Sequence, residues 1–356
     1  MFAMSKFDQL IDSRGFYKAV EGYVIDCVAS NNNEFFSVAT ADGELWVIDC
    51  KQFASAKSWQ NYRPHNGGIL CLTQGFDNNS FLTAGDDNQI AFTKLGDKSS
   101  FVLKTMGWVE HMHTWLDSNS NSYNVALSVG KQIVVYRNSF KTLFLTLEHS
   151  STVNDFCLNK QKNALAMAHY DGATLWKLET KNSKKSKEFS WSGSHLQILV
   201  HPKNEVIVTS MQNYDLHGWR ISDGHNMRMS GYDTKVKSLS FSQDGKWLAT
   251  SGTESVVLWP FFDGGPMGKV PNELPGIPNH QCSFVQFHPV INTLLVAGFT
   301  DGSILLFSIN DEKILPIVMG REKRIGSISC IKFNSLGNML CFGTEEGYAG
   351  IVNMSK

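Results

Sequence analysis

Apolar and polar positions alternate along this chain in short runs, and the runs themselves repeat. A unit of roughly 43 residues recurs from near the start to the last residue. Each copy has the same grammar: a short apolar strand, a polar turn, a second strand ending in small residues, a tight acidic or glycine turn, and a third strand closing on an aromatic or β-branched residue. The clearest copy runs from Val236 to Phe241, turns through Ser242 to Gly245, continues from Trp247 to Gly252 and ends with Ser255 to Trp259. Aligned on it, the position of Trp259 is taken by Ile48, Thr93, Tyr136, Trp176, Trp219, Phe307 and Val352. That makes eight units, or seven if the weakly patterned third one fails.

The turn before the third strand reads Asp42-Gly43, Asp87-Asn88, Asp171-Gly172, Asp301-Gly302 and Glu346-Gly347. Such pairs tolerate positive φ and predict type I′ hairpins. The turn between the first two strands carries signals of its own, at Asn31 to Asn33, Asp77 to Asn79, His201-Pro202, His288-Pro289 and Leu336-Gly337. Segments around Ser55 to Tyr62, Ser100 to Lys104, Lys141 to Leu147, Glu188 to Trp191 and Met227 to Ser230 have the length for a fourth, outer strand. The last unit runs out at Lys356 without one, and residues near Phe7 to Asp12 are expected to supply it, pairing the two termini so that no sheet edge stays open. The expected architecture is all-β: one propeller domain over residues 1–356, with eight four-stranded units (seven possible).

Composition supports that class and removes several functions. A chain of 356 residues, 42% hydrophobic and 18% charged, can build a core without disulfide staples. Its net charge of -1 and pI of about 6.8 provide no positive field for a phosphate backbone, so no nucleic-acid partner is expected. No stretch approaches the roughly 18 apolar residues of a spanning helix, and the N-terminus meets Asp8 before any apolar core forms. The expectation is a soluble cytoplasmic protein with no membrane partner. Seven cysteines, an odd number without CxxC spacing, predict buried free thiols in a reducing compartment.

Catalytic and ligand motifs fail on spacing. Gly264 and Gly268 are separated by three residues where a phosphate-binding loop needs four, and Val270 replaces the Ser/Thr after Lys269. No GxSxG occurs, and Tyr170 to Trp176 lacks the leading Ser of a sialidase-type box. His111 and His113 alternate on a predicted first strand and would share a face, but no third ligand accompanies them. No catalytic residue, metal or cofactor is therefore expected. Lys177, Lys181, Lys184, Lys185 and Lys187 lie in a Ser- and Asn-rich connection that reads as a solvated loop.

The repeat grammar resembles the WD40 repeat. In that family a His before the first strand, an Asp in the turn before the third and a Trp in the third form a buried hydrogen-bonded network. The resemblance assigns this structural role to His65 with Asp87, and to His149 with Asp171 and Trp176; Tyr232 and Trp191 stand at the His position of units six and five. Over Gly193 to Lys269, in Ala168 to Trp176 and in Phe342 to Gly350, the chain is similar to a group of bacterial WD40 proteins common in alphaproteobacteria. Genes of that group often lie near zinc-uptake genes and a metal-handling GTPase, which implies a tie to bacterial metal homeostasis.

What the resemblance implies for function is a non-catalytic scaffold for protein–protein interaction. By WD40 strand order, the turn Met211 to Asp215 and the loop Gly231 to Lys235 emerge on one face of the disc, joined there by Trp108 and Trp191. Aromatic, Met and Arg side chains together have the make-up of an interface hot spot. Trp108, Trp191, Met211, Tyr214, Arg228 and Tyr232 are the expected partner-binding residues, with a peptide or protein as partner. The alternative is a small-ligand or metal site, or an enzyme, using the central channel.

Overall fold

Each sequence unit folds into antiparallel hairpins whose second strand is the most buried. The computed structural model describes residues 9–117, 120–159, 163–178 and 185–355. Phe35–Thr40, Ser80–Gly85, Val206–Met211 and Met339–Thr344 have both faces covered. That is why these segments read as unbroken apolar and small-residue runs rather than as alternating ones.

Seven continuous sheets result, six of four strands and one of six elements. In the six-element sheet, Ala164–Lys177 supplies two strands. Its first half pairs with Val153–Asn159, and its second half, beyond Asp171, pairs with Lys185–Val200. Lys185–Val200 serves in turn as outer strand of the fourth unit and, from His195 onward, as inner strand of the fifth. One sheet thus houses two units, and eight repeat units occupy seven sheets. The inner strands meet in chain order, and the last, Ile328–Phe333, packs on the first, Val24–Ala29, to close a ring, the β-propeller arrangement.

The core is divided among the seams between units. Phe36, Val38 and Ile48 of the first pack with Cys341, Ala349 and Ile351 of the last, while Val208 and Met227 of the fifth pack with Leu248 and Trp259 of the sixth. Burying one face of each sheet on its neighbour supplies the hydrophobic stabilisation that a lone four-stranded sheet lacks.

Closure uses the N-terminal segment, in a different register from the expected one. Gly15–Ala19 pairs antiparallel with Tyr348–Asn353, with Gly15 opposite Val352. Leu10–Arg14 forms a short helix that buries Ile11 against Ile317, Ile325 and Val352. Of the expected closing segment Phe7 to Asp12, residues 7 and 8 lie outside the described residues and Leu10 to Asp12 are helical. The aromatic and small residues of Gly15–Ala19 suit a strand better than Leu10–Arg14, whose Asp12 pairs with Lys323 and whose Arg14 donates to the Ser355 carbonyl.

The tight turns also differ from expectation. Type I′ needs positive φ at both central residues, yet Gly43, Asn88, Gly302 and Gly347 have it (87°, 59°, 87° and 78°) without the residue before them. Only Asp171-Gly172 has both positive, at 65° and 146°. The amides of Gly43 and Gly302 bond back to Thr40 and Phe299, and the Thr40 and Phe299 amides bond to Glu44 and Ser303. This is the three-residue loop, a type I turn followed by a left-handed residue. Among the described residues no helix is long and apolar enough to cross a membrane.

Candidate functional site

Two regions of the ring gather polar chemistry: the end carrying the turns before the third strands, here the upper face, and the channel wall. On the upper face the fifth unit is the richest. Trp191 stacks on His217, ring centroids 4.0 Å apart and planes 20° from parallel. His217 pairs through Nε2 with Asn226 Oδ1 at 3.0 Å. The Trp191 carbonyl lies 3.0 Å from His195 Nε2, and His195 Nδ1 lies 2.7 Å from Thr209 Oγ1. Both histidines are fully buried, so the half-exposed indole of Trp191 rests on a rigid base.

Beside it, Asp215 is buried and takes two hydrogen bonds from Arg228, from Nε at 3.0 Å and Nη2 at 2.7 Å. Both donors converge on the single oxygen Oδ2, which orients the guanidinium, yet the Arg228 side chain remains 59% exposed. Tyr214 sits at φ 67° in the turn and projects outward, 43% exposed. Further round, Trp108 is 56% exposed and donates from Nε1 to the Asp86 carbonyl at 3.1 Å. Tyr23, Met106 and Tyr170, which the sequence reading missed, are exposed on the same face. Their signal was legible, since each lies in a connection before an inner strand or beside a turn before a third strand.

Two expected members do not belong to this surface. Met211 is buried, with its Cε close against Gly193. Tyr232 turns inward: its hydroxyl lies 2.7 Å from Thr250 Oγ1 and accepts Trp259 Nε1 at 2.6 Å. Burial pushes its phenol well above the usual range. Tyr232 takes over the place of the network histidine in the sixth unit, which commits its hydroxyl to the unit's interior.

His65 pairs through Nδ1 with Asp87 at 3.1 Å and through Nε2 with Thr83 Oγ1 at 2.9 Å, while Asp87 also accepts the Gln89 and Asn66 amides. In the fourth unit His149 Nε2 meets Thr174 Oγ1 at 3.0 Å, and the His149 and Trp176 rings lie 6.0 Å apart. Asp171 accepts the Gly193 amide at 3.0 Å, tying its turn to the connection carrying Trp191. The first unit uses a device that was not foreseen. Buried Glu44 accepts Asn61, Trp46 and the Glu21 amide and pairs with Arg63 at 3.0 Å. Burial would raise its carboxyl, but these partners outweigh that and leave it below its ordinary value.

The neutral histidines make stability pH-dependent. Burial lowers His195 from 6.5 to about 4 and lowers His217 and His288 in the same direction. The unfolded chain therefore binds more protons between these values, and stability present above pH 6.5 is lost as pH falls toward 4. His195 alone would contribute on the order of 3 kcal/mol to that loss. Urea unfolding at pH 7.5 and at pH 5 should give a lower midpoint at pH 5, and His195→Gln should flatten the difference; a midpoint independent of pH would contradict the assignment.

The channel wall is shaped by a bulge near the start of the inner strand in seven units, as between Val24 and Asp26 or Val153 and Asp155. Bulges turn side chains toward the axis and increase local twist. His111 Nδ1 stands 3.5 Å from Asp155, and His113 Nε2 lies 3.0 Å from the Phe156 carbonyl. Both histidines are thus directed to the neighbouring unit. Burial raises the Asp26 and Asp155 carboxyls. Lys269 donates to the Phe262 and Asp263 carbonyls and lies over the Phe262 ring, which ties it into its own loop.

Residues 224–260, the sixth unit with the strand that precedes it, match the family model described as WD domain, G-beta repeat. No curated protein matches the chain at a significant level. The matched segment contains the Tyr232–Thr250–Trp259 network, and the remaining units repeat its strand order around the ring. The chain folds as a β-propeller, one of whose units is similar to the WD40 repeat.

Proposed function

We propose that the protein is a non-catalytic scaffold that holds a peptide or protein segment on its upper face, around Trp191, Tyr214 and Arg228 and extending toward Trp108. The observation that carries this reading is the set of exposed aromatic side chains gathered at one end of the ring and pinned from below, Trp191 by His217 and Trp108 by Asp86. Pre-organised aromatic and Arg side chains bury large area at small entropic cost when a partner docks. Seven free cysteines suit a reducing compartment, which supports a cytoplasmic setting for this role.

The test is a double variant, Trp191→Ala with Tyr214→Asn, chosen because Asn tolerates the positive φ at position 214. Partner capture should fall at least about tenfold, since two hot-spot residues are worth roughly 2 kcal/mol or more. The thermal midpoint should move little. Undiminished capture by a folded variant would remove the face from the account.

A further inference from the structure

The repeat allows an internal comparison of two channel carboxylates. Asp26 and Asp155 each follow the bulge of their inner strand. Each folds back to accept the next amide, Cys27 or Phe156, at 2.8 Å. Asp155 also accepts the Ile198 amide of the following unit at 2.9 Å and has His111 of the preceding unit at 3.5 Å. Asp26 forms no ion pair among the described residues; Lys332 acts on it only from beyond contact distance. A desolvated carboxylate without a balancing charge is costly.

What stands beside Asp26 is sulfur. A carboxylate oxygen of Asp26 and the Sγ atoms of Cys27 and Cys330 all lie within 4.8 Å of one another. Cys330 follows the bulge of the eighth unit as Asp26 follows that of the first, so closing the ring brings these donors together from opposite ends of the chain. Cys341 adds a third thiol in contact with Cys27, whose Sγ also donates to the Cys341 carbonyl at 3.5 Å. The thiols are fully buried, whereas Asp26 keeps a partly open side toward the channel. A cation arriving through the channel would meet the carboxylate first and the sulfurs behind it.

We propose that Asp26, Cys27 and Cys330 form a binding site for a thiophilic divalent cation at the seam between the first and last units. The donor set selects the class: two thiolates favour a soft or borderline ion, and one carboxylate favours a dication over a monovalent one. Around a tetrahedral ion with bonds of about 2.0–2.3 Å, ligand atoms sit roughly 3.5 Å apart, so the three donors need to draw in by at most about 1.3 Å, and channel water completes the shell. Binding exchanges about two protons for the cation. The bound ion would bridge the two ends of the ring and stabilise its closed state.

Titrating the reduced full-length protein with Co2+ as a spectroscopic probe, and with Zn2+ in competition, tests the site. The expected result is a thiolate-to-cobalt charge-transfer band saturating at about one ion per chain, release of about two protons, and a raised thermal midpoint with Zn2+. The band should vanish in Cys27→Ser and Cys330→Ser and persist in Cys282→Ser, another fully buried thiol in a different seam. Because serine in a core seam can impair folding, Asp26→Asn on the channel side is read in parallel and should weaken binding at least about tenfold. The proposal is overturned if no thiolate band forms, if the band survives in a folded Cys27 or Cys330 variant, if Asp26→Asn binds as wild type does, or if peptide mapping finds Cys27 and Cys330 joined as a disulfide.

Discussion

Replacing Tyr232 by Ala is expected to destabilise the propeller by about 3–5 kcal/mol, the range for deleting a buried aromatic side chain, and to lower partner capture only through that loss of stability. Its ring packs against the core of the fifth and sixth units, and its hydroxyl joins Thr250 to Trp259. Tyr232→Phe separates the two contributions. It keeps the packing but strands the Trp259 Nε1 donor, at a cost of about 1–3 kcal/mol. Denaturant unfolding of both variants checks the order. A Tyr232→Ala protein as stable as wild type would return Tyr232 to the binding surface, contrary to the geometry described above.

Removing residues 1–19 is expected to have a larger effect, more than about 5 kcal/mol, which is comparable to the whole stability of a domain. The deletion takes away the outer strand of the last unit and exposes the Tyr348–Asn353 edge, a template for intermolecular pairing. It also removes Ile11 from its cluster and the Asp12–Lys323 pair. The truncated protein should elute as aggregate, or as monomer with a broad low-temperature transition, and a synthetic peptide of residues 9–19 should restore cooperative unfolding. A truncated monomer with an unchanged midpoint would mean that closure contributes little.

The fold was legible because it is written locally and repeatedly. Alternating apolar positions, Asp/Gly turns and the aromatic closing the third strand specify each hairpin without reference to distant residues, so strand order and ring closure could be read from the chain. The closing strand was misplaced because Leu10–Arg14 and Gly15–Ala19 are adjacent five-residue segments that both mix apolar with polar residues. What separates them is tertiary, the packing of Ile11 and the pairing of Gly15 with Val352. The turn type was missed because a pair such as Asp42-Gly43 suits both loop forms, and the choice lies in whether the Asp adopts positive φ.

The candidate surface was only partly legible for a related reason. Trp108, Trp191, Tyr214 and Arg228 are exposed on the face where strand order places them, but in the same segments Met211 is buried and the half-buried Tyr232 turns its hydroxyl inward. Composition cannot separate a core-capping aromatic from an exposed one; for Tyr232 the deciding partners, Thr250 and Trp259, lie on other strands. The grouping of Asp26, Cys27 and Cys330 was beyond any spacing rule, because it exists only once the ring has closed.

Whether one face of the ring receives a protein segment can be decided by photo-crosslinking. A photoreactive amino acid is placed at Tyr214 on the upper face and, separately, at Leu336, which is exposed in a turn at the opposite end. After irradiation in the native cell, a discrete crosslinked partner is expected from position 214 and none from 336. Crosslinks from 336 alone, or none from 214 in a folded protein, would contradict it.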